Sequence, residues 1–479
     1  MTTQQALTST KVASTEPTWH RAIRDLPREH GFEPLHVTGH IPADLRGTLY
    51  RTGPSLFSSF GRRYHHWFDG DGAVSAVRFS DGDVRGAVRV VQSRGLLDEQ
   101  KAQKPLFGGY GTPSPRSWLH RLGGGQVKNT GNTSVIVWQR RLFALMEAGL
   151  PTELSPDTLE TLGERDLDGV IIQSFSAHAH RIPSRRATYN FGMRLSGPPK
   201  LDIYELPDAG KARRLITLPV PAAELHDFIA TDRHLIFFVP PLRLRILNMI
   251  LGRGSYSENL NWSPEAGTQI IIVPIDDPEN TVRFSAEPFY QWHFANAFER
   301  GSEIVVDYVR YPDFANNEAI GNVISGDIRR PLDGVYHRAV IDPRREKFRS
   351  EAVWDSAVEF PRIASRAISR DHQFAYVTAD SARRPMGYFN GIAKIDVHSG
   401  HTVRVDLGPD RYPSEPVFVR RKDAMAEDDG YLLTLVYDAG KDHSSLVVVD
   451  ARAPDAGAVA EARFDHHIPL TFHGNWSPA

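Results

Sequence analysis

Strand signals recur at short, even intervals along almost the whole chain, and this constrains the fold more than any other feature of the sequence. Runs rich in β-branched and aromatic residues, at 47–51, 73–79, 134–138, 235–239, 269–273, 303–308, 431–437 and 445–450, are closed by Asp-Gly, Pro and Asn turns. That is the pattern of hairpin strands. The signals continue from about Leu45 to Phe464, with no Gly/Ser linker or charge block to divide them. An all-β chain of 479 residues is too long for one sandwich, whereas a propeller grows by adding four-stranded blades around an axis. At roughly 45 to 70 residues per blade, about seven blades fit. Helical signals are few: 6–9, the surroundings of Ala22-Ile23, and 241–252 (PLRLRILNMILG).

Composition removes several function classes. The chain has no cysteine, which excludes disulfides, thiolate metal sites, iron–sulfur clusters and cysteine nucleophiles. Any metal must sit on His, Asp or Glu. The balance of 56 Lys+Arg against 58 Asp+Glu lacks the basic excess that phosphate binding requires, so no nucleic acid is expected as a partner. Residues 1–18 read as a flexible leader, polar and without the apolar core of a signal peptide, and 19–479 as a single β-propeller domain. No stretch reaches the roughly 20 apolar residues of a membrane span. A cytoplasmic protein is expected.

The 20 histidines are the only strong neutral metal donors, and four stand in suggestive contexts. His178 follows Phe175-Ser176-Ala177; His226 opens His226-Asp227-Phe228; His293 lies between Trp292 and Phe294; His473 lies in Phe472-His473-Gly474. They are 48, 67 and 180 residues apart, far from the spacing of a zinc finger or a helical HExxH site. Only a fold that brings remote segments to one axis can join them, as a propeller does where its innermost strands begin. His180 competes with His178 on the same strand face by period two. His65 and His66 read as hairpin packing, and His466 and His467 as a solvated strand end.

An ordered series of phrases then carries a family resemblance. It comprises Arg51-Thr52-Gly53-Pro54, the run from His65 to Gly72, Asn132-Thr133-Ser134, the run from Leu145 to Pro151, Ser176-Ala177-His178, His226-Asp227-Phe228, the run from His293 to Glu299, Glu359-Phe360-Pro361-Arg362, Glu415-Pro416-Val417-Phe418 and Phe472-His473-Gly474. The chain resembles the carotenoid cleavage oxygenase family, which includes the retinal pigment epithelial membrane protein, from about Gly31 to its C-terminus. Ala179 departs from the family, which often has proline there. The resemblance implies a seven-bladed β-propeller with a helical and loop cap over the metal face. It further implies one Fe(2+) per subunit held by His178, His226, His293 and His473, with Glu147, Glu359 and Glu415 behind the rings. Four neutral imidazoles leave a ferrous ion its charge and open positions, but they suit zinc, copper or nickel as well, so iron follows from the likeness alone.

No Ser-His-Asp series, phosphate loop or close acidic pair points to hydrolysis or phosphoryl transfer. The resemblance implies instead that dioxygen cleaves a conjugated C=C bond of a carotenoid or apocarotenoid into two carbonyl products. Trp292, Phe294 and Phe298, which neighbour a ligand, are candidate walls of the substrate tunnel. In stilbene-cleaving relatives a lysine is expected before the first glutamate; here Met146 occupies that position, which disfavours the alternative of a lignostilbene- or resveratrol-type substrate. A second alternative is a binding propeller that has lost its metal. The 241–252 segment sets Leu242, Leu244, Leu247 and Ile250 among Arg243, Arg245 and Arg253. This composition suits peripheral contact with a membrane surface, on the inner face of the membrane for a cytoplasmic protein, and it matches the apolar patch that family members carry at the tunnel mouth.

Overall fold

A computed structural model of the chain describes residues 16–115, 128–328, 333–381 and 387–479. The helical signal at 6–9 and most of the expected leader lie outside the described residues. The described chain is all-β, a succession of antiparallel sheets. The first sheet runs His30–Pro34, Asp83–Val90, Asp71–Ser80, Gly47–Leu56 and then the C-terminal strand Gly474–Pro478. Next come Ser134–Trp138 with Arg141–Leu145, Thr152–Leu154 and Thr161–Glu164, followed by His180–Ile182 with Ala187–Arg194, Lys200–Pro207 and Arg213–Pro219. The fourth holds Ile229–Ala230, His234–Val239, Thr268–Pro274 and Val282–Ala286.

A seven-stranded sheet follows, from Phe294–Arg300 to Thr402–Asp406. Its central strand, Lys347–Ile363, serves two neighbours in turn: 347–357 pairs with Val335–Asp342, and 358–363 pairs with Phe374–Ala379. The sheet therefore divides into two four-stranded halves. The last sheet is built on Gly430–Asp438 and His443–Asp450, and it takes its outermost strand, His36–Gly39, from the N-terminal region.

Each sheet buries both faces, and the sequence shows how. In Gly430–Asp438 every residue is buried; Leu433 and Leu435 join one apolar cluster while Leu432 and Val436 join another. The same split recurs along His443–Asp450, where Leu446 and Val448 face one way and Val447 and Val449 the other. A continuous apolar run is what a strand needs when the period-two alternation must satisfy a neighbour on each side. Apolar clusters of this kind join each sheet to the next, and one that includes Leu49, Val77, Leu433 and Val448 joins the last sheet back to the first. The ring closes.

Closure is also polar. Arg51, 2% exposed, lies on the first sheet and donates from Nε to Thr471 Oγ1 (2.8 Å), from Nη1 to the Glu415 carbonyl (2.7 Å) and from Nη2 to the Phe472 carbonyl (2.8 Å). Burial pulls its pKa down to about 10, still far above neutrality. Two helices lie outside the sheets and carry no signal in the sequence: Arg94–Ala102, with the Ser93 hydroxyl at its N-cap, and Asn316–Asn322. Buried Lys128 fixes the first of these, bridging Asp71 (2.7 Å) on the first sheet and Glu99 (2.8 Å) on the helix. Near Ala22-Ile23 the chain forms the short 3-10 turn Thr18–Ala22, whose Trp19 is buried.

Replacing Arg51 by leucine strands three buried acceptors at the seam, a loss on the order of 3 kcal/mol. Urea unfolding of Arg51→Leu is expected to show a midpoint well below that of the parent chain; an unchanged midpoint would remove the seam from the account of stability.

Candidate metal centre

The residues preceding the innermost strands meet at the hub. His178, His226, His293 and His473 each lie just before a strand that forms the end of its sheet: His180–Ile182, Ile229–Ala230, Phe294–Arg300 and Gly474–Pro478. Where a further sheet begins at Val358, the position is taken by Glu359; before Val417–Arg420 it is taken by Glu415. Segments far apart in sequence thus deliver donors to one place.

All four rings are buried. Ring centroids lie 4.3 Å apart for His178 and His226, 5.1 Å for His226 and His293, 4.7 Å for His293 and His473, and 4.8 Å for His178 and His473. His293 Nε2 is 3.3 Å from His226 Nε2 and 3.0 Å from His473 Nε2. His178, His226 and His293 each offer a ring nitrogen within 4.8 Å of the others, a grouping that fits a metal site.

The carboxylates determine what those nitrogens can do. Glu359 Oε2 accepts from His293 Nδ1 at 2.5 Å, and Glu415 Oε1 from His473 Nδ1 at 2.9 Å. Glu147 Oε1 is 3.3 Å from His226 Nδ1, close but without hydrogen-bond alignment. A ring whose Nδ1–H donates to a carboxylate presents a lone pair at Nε2. His293 and His473 therefore turn lone pairs toward each other, which is repulsive unless a cation lies between. Nitrogens about 2.1 Å from one metal ion are separated by roughly 3.0 to 3.4 Å in square or tetrahedral arrangements, close to the separations found. His178 Nε2 is buried without a hydrogen-bond partner. The donor set fits a metal.

Protonation favours the same reading for two of the rings. Burial, reinforced by the neighbouring rings, holds His226 far below the ordinary histidine range, and burial brings His473 down to about 3 against the pull of Glu415. Both rings are neutral and able to bind a cation. Burial also opposes the charge on Glu359 and Glu415, yet His293 in the first case and Arg362 with His473 in the second outweigh it and hold both carboxyls low. For His178 burial is outweighed by Asp227 and Glu147, and its pKa rises.

Three further residues take roles that the sequence did not assign, although Asp227 and Phe360 stand in phrases of the family resemblance. Asp227 accepts from His180 Nε2 (2.8 Å) and the Phe294 amide (3.0 Å), tying the approach to His178 to the strand after His293. This occupies Nε2 of His180, whereas His178 stands in the buried three-histidine grouping. Tyr311 donates to Glu359 Oε1 at 2.8 Å. Phe360 holds φ at 52° where the register between 358–363 and its partner shifts, and its ring stacks on His293 with centroids 5.3 Å apart. A bulge with a left-handed non-glycine residue is costly, and here it turns Glu359 and Phe360 toward the hub.

A cavity of about 620 Å³ opens over the rings, lined among others by Trp292, Met146, Tyr110, Phe472 and Leu244. Trp292 packs edge-on against His226 at 4.8 Å between centroids. Phe294 and Phe298 do not line it: Phe294 packs with Phe238 and Tyr308 between sheets, and Phe298 lies edge-on to His372. Their strand leaves the hub after His293, so closeness in sequence does not keep them at the site. Leu242 is likewise core, fully buried beside Tyr290 and Trp292, and not part of an exposed patch. Leu244 is half-buried on the cavity wall, Leu247 is 68% exposed, and the Ile250 side chain lies outside the described residues. His66 caps the turn Trp67–Asp69, and His467 is buried where a solvated strand end was expected.

A buried cluster of imidazoles where the antiparallel sheets converge fits a histidine-based metal site. The retinal pigment epithelial membrane protein family model matches residues 23–478, and the chain belongs to that family, which is also the carotenoid cleavage oxygenase family. It is 33% identical over 470 residues to the apocarotenoid-15,15'-oxygenase of Synechocystis, covering 96% of each chain. It is 28% identical to a carotenoid cleavage oxygenase of Mycobacterium tuberculosis, covering 93% of this chain and 94% of the other. The structure of cobalt-substituted Synechocystis apocarotenoid oxygenase superposes with a TM-score of 0.88 at 32% identity, covering 96% of this chain and 98% of that one.

Metal analysis of purified protein checks the choice of rings. His293→Ala is expected to lose its metal and His466→Ala to keep it; equal loss in both would show that the wrong histidines were chosen.

Proposed function

We propose that the chain is an Fe(II)-dependent dioxygenase that cleaves one conjugated C=C bond of an apocarotenoid or carotenoid into two carbonyl products. The proposed scaffold is a seven-bladed propeller spanning 19–479, with the leader 1–18 outside it. The observation that carries this reading is the convergence of carboxylate-backed imidazoles beneath an apolar-walled cavity. His178, His226, His293 and His473 would hold the iron, with Glu147, Glu359 and Glu415 fixing the rings behind it. A ferrous ion held by neutral ligands supplies the activation of dioxygen.

The residues around it bind and orient. Trp292, Phe360 and Phe472 surround the rings with apolar surface that keeps water from the reacting bond and lays a polyene across the hub. Met146, next to Glu147, offers no cation to a phenolate, which favours a polyene over a stilbene. Retention of all four histidines and all three glutamates speaks against a binding propeller without catalysis.

The route in also has physical support. Residues 244–256 contribute cavity wall through Leu244, Ile246, Met249 and Tyr256, and the same segment exposes Ile246 (41%), Leu247 (68%) and Leu251 (42%) beside Arg245. Apolar side chains flanked by arginine suit contact with an anionic lipid surface, from which a membrane-dissolved substrate could enter directly. No helix among the described residues is long and apolar enough to cross a membrane.

Under labelled dioxygen, product mass analysis with a panel of carotenoids, apocarotenals and stilbenes is expected to show label in two carbonyl fragments from a polyene, only when iron and air are both present. Full activity in iron-free protein would overturn the mechanism. Cosedimentation with anionic vesicles is expected to fall severalfold in Leu247→Glu; unchanged pelleting would remove the membrane contact.

A further inference from the structure

The cavity wall carries two acidic side chains that the metal centre does not use: Asp69, which accepts from the Gly111 amide and the Thr112 hydroxyl, and Glu224. Glu224 is 8% exposed, lies two residues before His226 and lines the cavity. Its only hydrogen bond among the described residues is from the Tyr256 hydroxyl to Oε2, at 2.6 Å. The other buried carboxyls of the site are far better served. Glu359 accepts from His293, Tyr311 and the Phe360 amide, and Glu415 accepts from His473, the Gly474 amide and Arg362. A carboxylate has about four acceptor positions, and a buried one lacking partners is costly. Glu224 keeps acceptor capacity on a wall whose neighbours include Leu225, Ile246 and Met249.

Tyr256 gives the arrangement its direction. Its hydroxyl donates to Glu224 Oε2 and its oxygen remains an acceptor, while Glu224 keeps its other oxygen free to accept or, when protonated, to donate. The ligand group that complements the pair in either protonation state is a hydroxyl, which both donates and accepts. Tyr256 follows the apolar segment at the cavity edge, and the Ser257 amide bonds to the Tyr110 carbonyl (2.8 Å), which fixes its position. We infer that Glu224 and Tyr256 form a recognition site for a hydroxyl group of the substrate, so that the enzyme selects hydroxylated polyenes over unsubstituted ones. This rests on the polyene-cleaving reading above. Two sources share the chemistry, a hydroxyl on the terminal ring and a primary alcohol at the chain end.

The test uses metal-loaded protein and three ligands of equal chain length: an apocarotenal with a ring hydroxyl, an apocarotenol without one, and the unsubstituted apocarotenal. Binding is measured anaerobically by the change in polyene absorbance, and kcat/KM in air. The parent protein is expected to favour one hydroxylated ligand over the unsubstituted one by about 10- to 100-fold in both measurements; which ligand wins identifies the source. In Glu224→Leu, with iron content unchanged, the ratio is expected to fall to near one. Tyr256→Phe is expected to lose part of it, and provides an independent reading if Glu224→Leu does not fold. Equal treatment of all three ligands by the parent protein, or an undiminished ratio in both variants, would overturn the inference while leaving cleavage intact. Selective binding that Glu224→Leu abolishes, with no cleavage products from any ligand, would uphold the recognition site and overturn the proposed reaction.

Discussion

The hydrogen bonds from histidine Nδ1 to buried glutamate are the interaction on which the site depends. They orient His293 and His473 and assign the proton of each to the side away from the hub, which leaves their Nε2 atoms as opposed lone pairs 3.0 Å apart. Such a cluster is unfavourable by itself and becomes favourable around a cation. The glutamates in turn are stabilised from behind, Glu359 by Tyr311 and the Phe360 amide, Glu415 by the Gly474 amide and Arg362. Each layer makes the one in front of it tenable.

Closure of the ring makes this arrangement possible. A donor just ahead of an innermost strand reaches the hub only if its sheet is held at the correct angle to its neighbours, and every sheet here is clamped by apolar clusters on two sides. The C-terminal strand completes the first sheet and brings His473 with it. Arg51 fastens the same seam through the backbone of Glu415 and Phe472, so one buried guanidinium connects fold stability to the position of a ring and of the carboxylate behind it.

Much of this was legible in the residues. The strand at 431–437 announced itself because a doubly buried strand is apolar at every position, and the four histidine contexts stood out because small or aromatic residues flank them. Other features were not legible there. Asp227 stands in a phrase of the family resemblance, but its partners His180 and Phe294 are remote in sequence and show only in the fold. The bulge at Phe360 depends on register, which a sequence does not display. Phe294 and Phe298 were misplaced for a related reason, since position along a strand does not reveal which side chains face the hub and which face the next sheet. Leu242 was misplaced because its apolar neighbours Leu247 and Leu251 are exposed, while it belongs to the strand Leu242–Leu244 and faces inward.

The chemistry proposed for this centre requires a metal whose inner coordination is supplied by imidazole alone, with the carboxylates one bond further out. X-ray absorption at the iron edge of the protein as purified examines that requirement directly. The account predicts a ferrous ion surrounded by four imidazole nitrogens, with the outer-shell scattering that imidazole rings produce. A coordination shell dominated by carboxylate oxygen, or one with fewer than three imidazoles, would contradict it.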